Sequence, residues 1–167
     1  MGSWSLKLKA VCNSTPLIVL SKIGALRFLN IFDELVIPES VIKEVEIGGF
    51  PEDMKYVDYE VKKCDERESK FDDLDLGEAS GLSIIEDMSE DYIFLTDDLD
   101  ARILANKENI EVHGSVGIIT MAYSQKKISM QEAISLIEDI QKKTDLFITD
   151  EVVKIGIKEL KKQSDRI

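Results

Sequence analysis

The chain has 167 residues and a net charge of −12, with 44% hydrophobic and 32% charged residues. A domain of this size buries roughly two thirds of the surface its unfolded chain exposes, so a core forms without disulfides or structural zinc, and the composition argues against intrinsic disorder. The longest stretch without a charged side chain, Val112 to Gln125, falls short of the ~20 apolar residues of a membrane-spanning helix. The start of the chain lacks an apolar run of signal-peptide length, so a cytoplasmic protein is expected. Cys12 and Cys64 match no metal-ligand spacing; Cys12 reads as a buried strand residue.

Short apolar runs alternate with helical patterns, which predicts βαβ units around a parallel sheet. The first strand is Leu8 to Cys12. Thr15 suits an N-cap and Pro16 a first helical turn, with a helix through Leu17, Ile18 and Leu20. Gly24 separates it from a short helix ending near Phe32. A strand at Leu35 to Ile37 runs into Pro38, and the helix Ser40 to Ile47 stops at Gly48-Gly49. A weaker strand at Tyr59 to Lys63 and a charged loop at Asp65 to Asp73 lead to an amphipathic helix from Leu76 to Met88. The clearest buried strand is Tyr92 to Thr96. A helix at Asp98 to Lys107, a short strand at Ile110 to His113 and helices at Ser115 to Ser124, Met130 to Lys142 and Glu151 to Lys161 complete the chain. Nothing in the composition divides it, which predicts a single domain, residues 1–167, with the last helix as an arm.

The acidity is local. Between Glu52 and Asp100 there are 18 acidic and 5 basic residues, net −13, while the remainder carries net +1. A solvated acidic loop and a carboxylate-lined cation site both account for this. A nucleic-acid partner would need a bound metal and a basic rim such as Lys126, Lys127, Lys142, Lys143 and the Lys158 to Arg166 tail.

In an open parallel sheet, ligands bind beyond the carboxyl ends of the strands. Asn13 follows the first strand, and Asp97 and Asp98 follow Ile93 to Thr96; Glu78 opens a helix, and Glu44 lies near the middle of the helix after Pro38. Carboxylate and amide oxygens suit Mg²⁺ or Mn²⁺. Each position also has a local explanation. Asp75 and Glu78 have capping-box spacing, Asp98 suits an N-cap, Glu44 suits a solvated surface, and Asn13 can bond its own turn. No serine or cysteine nucleophile pairs with His113, which favours a structural role for it, and no phosphate-binding glycine motif follows the first strand.

Val11-Cys-Asn-Ser-Thr-Pro-Leu-Ile-Val-Leu-Ser-Lys-Ile-Gly, Val36-Ile-Pro-Glu-Ser-Val-Ile-Lys-Glu-Val, Leu74-Asp-Leu-Gly-Glu-Ala, Leu95-Thr-Asp-Asp-Leu-Asp-Ala-Arg102 and His113-Gly-Ser-Val-Gly-Ile together resemble the PIN domain, in particular a prokaryotic branch related to VapC-type toxins. The resemblance spans about residues 11–124 and implies a three-layer α/β/α, Rossmann-like fold. It implies an Mg²⁺ or Mn²⁺ site, with the four acidic positions falling on Asn13, Glu44, Glu78 and Asp98, and with Asp97 and Asp100 as auxiliary ligands. Glu44, Glu78 and Asp98 would be catalytic through a cation that activates water against an RNA phosphodiester. Ser14 or Thr15 would contact the metal-bound water or a phosphate, and Arg102 would either pair with a site carboxylate or contact phosphate, the ion pair being favoured. Asn13 departs from the family's usual aspartate and removes one negative charge.

Three functions are compatible with this pattern: a metal-dependent endoribonuclease restrained by a small antitoxin protein, a PIN-fold binding or regulatory module with weakened catalysis, and a receiver-like phosphoacceptor. The last lacks an acidic pair after the first strand. The resemblance also implies a homodimer. Apolar stripes at Ile134, Ile137 and Ile140 and at Val152, Ile155 and Leu160 fit dimer or antitoxin contact and fit core packing equally well.

Overall fold

A computed structural model describes residues 7–64, 76–88, 91–146 and 148–165, with residues 76–78 described in their backbone alone. Five strands, β1 (Lys9–Cys12), β2 (Glu34–Pro38), β3 (Glu60–Lys62), β4 (Ile93–Leu95) and β5 (Val112–His113), form one parallel sheet in the order β3-β2-β1-β4-β5. Between and after them lie α1 (Ser14–Lys22), α2 (Glu39–Ile47), α3 (Leu76–Asp87), α4 (Leu99–Lys107), α5 (Ser115–Ser124), α6 (Met130–Lys143) and α7 (Asp150–Ser164).

The period of two along each strand divides the core. Ala10, Cys12, Leu35, Ile37, Ile93 and Leu95 pack with residues of α1, α2, α5, α6 and α7, while Val11, Val36 and Phe94 pack with α3 and α4. The result is the expected three-layer α/β/α arrangement. Both faces of the three central strands are covered, which explains why their sequences read as continuous apolar runs rather than alternating ones.

Several local expectations shift. The N-cap of α1 is Asn13, not Thr15, because the Asn13 side chain accepts the Ser14 N–H and starts the helix two residues earlier. Tyr59 and Lys63 fall outside β3, whose three residues are all exposed. Glu52–Tyr56 forms a 3-10 turn that is not among the expected elements. The final helix is no arm: Leu160 is fully buried, and a Cβ on Gly156 would stand 3.1 Å from Val116 Cγ1 and 3.4 Å from Ile137 Cδ1. Ile137 and Ile140 are likewise core residues, whereas Val152 and Ile155 stay exposed. The charged segment 65–73 and the proposed Asp75 cap lie outside the described residues.

Candidate functional site

The strand order turns back between β1 and β4, so their carboxyl ends flank the crevice where open parallel sheets bind ligands. Register carries the polar residues to that edge. Cys12 pairs with Leu95 and Leu95 with His113, so the next row is Asn13, Thr96 and Gly114. Backbone bonds extend the ladder into it, from Asn13 N–H to Leu95 O at 2.9 Å and from Thr96 N–H to His113 O at 3.0 Å.

Asn13 and Thr96 are both buried. Asn13 Oδ1 accepts from Ser14 N at 2.7 Å, and its Nδ2 donates to Thr96 Oγ1 at 3.0 Å. The same hydroxyl oxygen accepts from Asp98 N at 3.2 Å, so Thr96 joins the two sequence-predicted positions through one atom. Asp98 is the N-cap of α4, its Oδ2 accepting from Ala101 N at 2.8 Å. Capping engages that oxygen and leaves Oδ1 to face other partners, so the structural and the functional explanations of Asp98 are compatible.

Asp97 is turned to a different task. Its Oδ1 accepts from Ser115 N at 2.7 Å, its Oδ2 accepts from Ser115 Oγ at 2.6 Å, and its own N–H donates to Thr15 Oγ1 at 3.0 Å. Gly114, the N-cap of α5, has no side chain to cap that helix, and the Asp97 carboxylate does so from another segment. Burial pushes the Asp97 carboxyl above the usual range; the two bonds from Ser115 and the charge of Arg102 act in the opposite direction. The Arg102 guanidinium also lies against Gly114, where an added Cβ would stand 3.1 Å from Nη1.

The other predicted residues are placed as follows. Ser14 is buried in the first turn of α1, and Asp100 is exposed in the first turn of α4. Glu44 is exposed on α2, beside a groove it shares with Ile18, Ser21 and Lys22 of α1. Glu78 is the third residue of α3, and its side chain lies outside the described residues. His113 Nε2 is 3.3 Å from Glu111 Oε1, and the ring packs at Gly117. Thr96, Gly114 and Ser115 join the site without being among the residues expected there. A glycine directly between a strand and a helix was the available signal, since it marks a helix start that something else must cap.

Asn13, Asp97 and Asp98 present hard oxygen donors of the kind a divalent cation takes. Among the described residues, no three of His, Cys, Asp and Glu are gathered closely enough to hold a metal ion. The donor chemistry fits a hard cation, and further carboxylates would have to come from elsewhere in the chain. No described helix is long and apolar enough to cross a membrane.

Over residues 9–162 the sequence matches the family model DUF3368, described as a PIN domain. No curated protein and no solved structure matches the chain. PIN domains generally use divalent metal ions.

Proposed function

Because the chain belongs to the PIN domain family, we propose that it is a divalent-metal-dependent endoribonuclease, acting as the toxin of a VapBC-type pair and restrained by a small antitoxin protein. The observation that carries this reading is the meeting of Asn13 and Asp98 at Thr96 Oγ1, on the crevice between β1 and β4. Glu78 and Glu44 are the acids proposed to complete the set. Mg²⁺ or Mn²⁺ held there would lower the pKa of an attacking water and offset charge on the phosphate. Asp98 Oδ1 and Glu78 would orient that water and accept its proton. Ser14 and Thr15 lie at the start of α1, where hydroxyls and a helix N-terminus favour a phosphate oxygen. Exposed Val152 and Ile155 on α7 are the proposed homodimer contact.

The test is cleavage of a mixed single-stranded and structured RNA panel with Mn²⁺, run beside EDTA, Glu78→Gln and Asp98→Asn. Asparagine caps helices as well as aspartate, so Asp98→Asn keeps α4 while removing the charge. Cleavage lost in all three controls supports the nuclease. A second reading, a binding module with weakened catalysis, is favoured by Asn13, which carries no charge and has both ends of its amide engaged. Cleavage by the wild type that Asp98→Asn abolishes rules that second reading out.

A further inference from the structure

We infer that Asp97 is a positioning residue rather than a cation ligand, and that with Gly114 and Ser115 it fixes where Asn13 and Asp98 stand; the inference rests on the metal-dependent reading above. Asp97 and Asp98 are neighbours in an extended segment, yet they serve opposite layers. Asp97 caps α5, whose Ile118 and Ile119 belong to one core, whereas Asp98 caps α4, whose Ala101 and Ala105 belong to the other. Each Asp97 oxygen accepts one bond from Ser115, and its N–H is held by Thr15 Oγ1. Three chain segments, the start of α1, the end of β4 and the start of α5, are therefore tied through this single residue.

Gly114 is part of the same device. A Cβ there would stand 2.5 Å from Asp97 Oδ1, so the close approach of the carboxylate to the helix start requires glycine. From the other layer, Arg102 reaches across the sheet edge to the same glycine, and its charge favours ionised Asp97. Thr15 is two residues from Asn13, and Asp97 directly precedes Asp98. Displacing the carboxylate thus shifts the two residues whose nitrogens, Asn13 Nδ2 and Asp98 N, both donate to Thr96 Oγ1. Groups that orient ligands in this way typically change metal affinity about 10- to 100-fold when removed.

The experiment titrates Mn²⁺ calorimetrically into the full chain as wild type, Asp97→Asn, Ser115→Ala, Ser115→Thr and the double variant Asp97→Asn/Ser115→Ala, with thermal unfolding measured on each. Positioning predicts that Asp97→Asn and Ser115→Ala weaken Mn²⁺ binding alike, by about 10-fold or more, and that the double variant is no worse than either. Ser115→Thr, which keeps the hydroxyl, restores the wild-type affinity. Weakening by Asp97→Asn with Ser115→Ala at wild-type affinity would make Asp97 a direct ligand and overturn the inference. Unchanged affinity in both, with only the melting temperature lowered, would make the network purely structural and overturn it as well. A wild-type chain that takes up no Mn²⁺ fails the metal reading itself, and the positioning role falls with it.

Discussion

Replacing Gly114 with alanine separates packing at the sheet edge from backbone strain. The backbone there is extended, with φ −95° and ψ −170°, a conformation alanine adopts freely. The obstacle is the Cβ, 2.5 Å from Asp97 Oδ1 and 3.1 Å from Arg102 Nη1. The carboxylate must swing away, breaking at least one of its bonds to Ser115, and a hydrogen bond to a charged group contributes about 1.5–3 kcal/mol. Ser115 is fully buried, so its N–H finds no water in compensation. We expect Gly114→Ala to lower stability by about 1.5–3 kcal/mol, read as a reduced urea midpoint at an unchanged slope. In an Asp97→Ala background the closest atom is gone and only the Arg102 Nη1 and Thr96 O contacts at 3.1 and 3.4 Å remain, so the same substitution should cost less than in the wild type, a coupling larger than the roughly 0.5 kcal/mol by which independent sites depart from additivity. A Gly114→Ala chain with the wild-type midpoint, or an equal cost in both backgrounds, would refute this account of the close approach.

At Gly81 on α3, an added Cβ would stand 2.7 Å from Phe94 Cε1, and Phe94 is fully buried; Gly81→Ala should cost about 1–3 kcal/mol by thermal or urea unfolding. Asp98→Ala removes the cap of α4 and should lower stability by about 1 kcal/mol, while Asp98→Asn keeps most of it, a difference that paired melts resolve. The Tyr92 hydroxyl, which donates to Glu34 Oε1 at 2.8 Å, is pushed up to about 12 by burial, by that bond and by the charges of Glu34 and Glu60. The folded chain therefore holds this proton more tightly than the unfolded chain. The stability it contributes is complete below the ordinary value of 10 and is lost as pH rises through 12, so Tyr92→Phe should flatten the alkaline limb of a stability profile. Burial, with the charge of Asp97 added to it, holds the Cys12 thiol far above its usual range; alkylation at mildly alkaline pH should label Cys12 only on unfolding, which mass mapping checks.

The parallel sheet was legible because its signals are local. Val11, Val36 and Phe94 sit in short apolar runs separated by helical periodicity, and the helix Ser115–Ser124 was read at its observed bounds. Those runs also end at Cys12 and Thr96, so the acids that follow β4 are expected at the carboxyl end of the sheet, where Asp97 and Asp98 stand. What escaped was the division of labour between them. Asp97 and Ser115 are 18 residues apart, and nothing in their spacing indicates a cap supplied from another segment. Thr15 suits a cap because threonine commonly is one. Its hydroxyl instead accepts the Asp97 N–H, a contact across 82 residues that only the assembled sheet creates. The last helix packs as core rather than as an arm; its apolar stripe suits a partner surface and a core alike, and its destination depends on α5 and α6.

The central place of β1 has a consequence for biosynthesis. β1 is flanked on one side by a strand that follows soon after, but its other neighbour arrives much later, since Asn13 and Thr96 are 83 residues apart. At ribosomal rates that interval is on the order of 5–15 s. During it, the nascent chain carries an open apolar strand edge, a surface that invites pairing with a neighbouring chain. Completion waits longer still, because Leu160 must leave the ribosome before the layer containing Ile137 and Ile140 is closed. A chain cut off after α6 would therefore lack the helix that covers Ile137, leaving that side of the core open to chaperones and proteases.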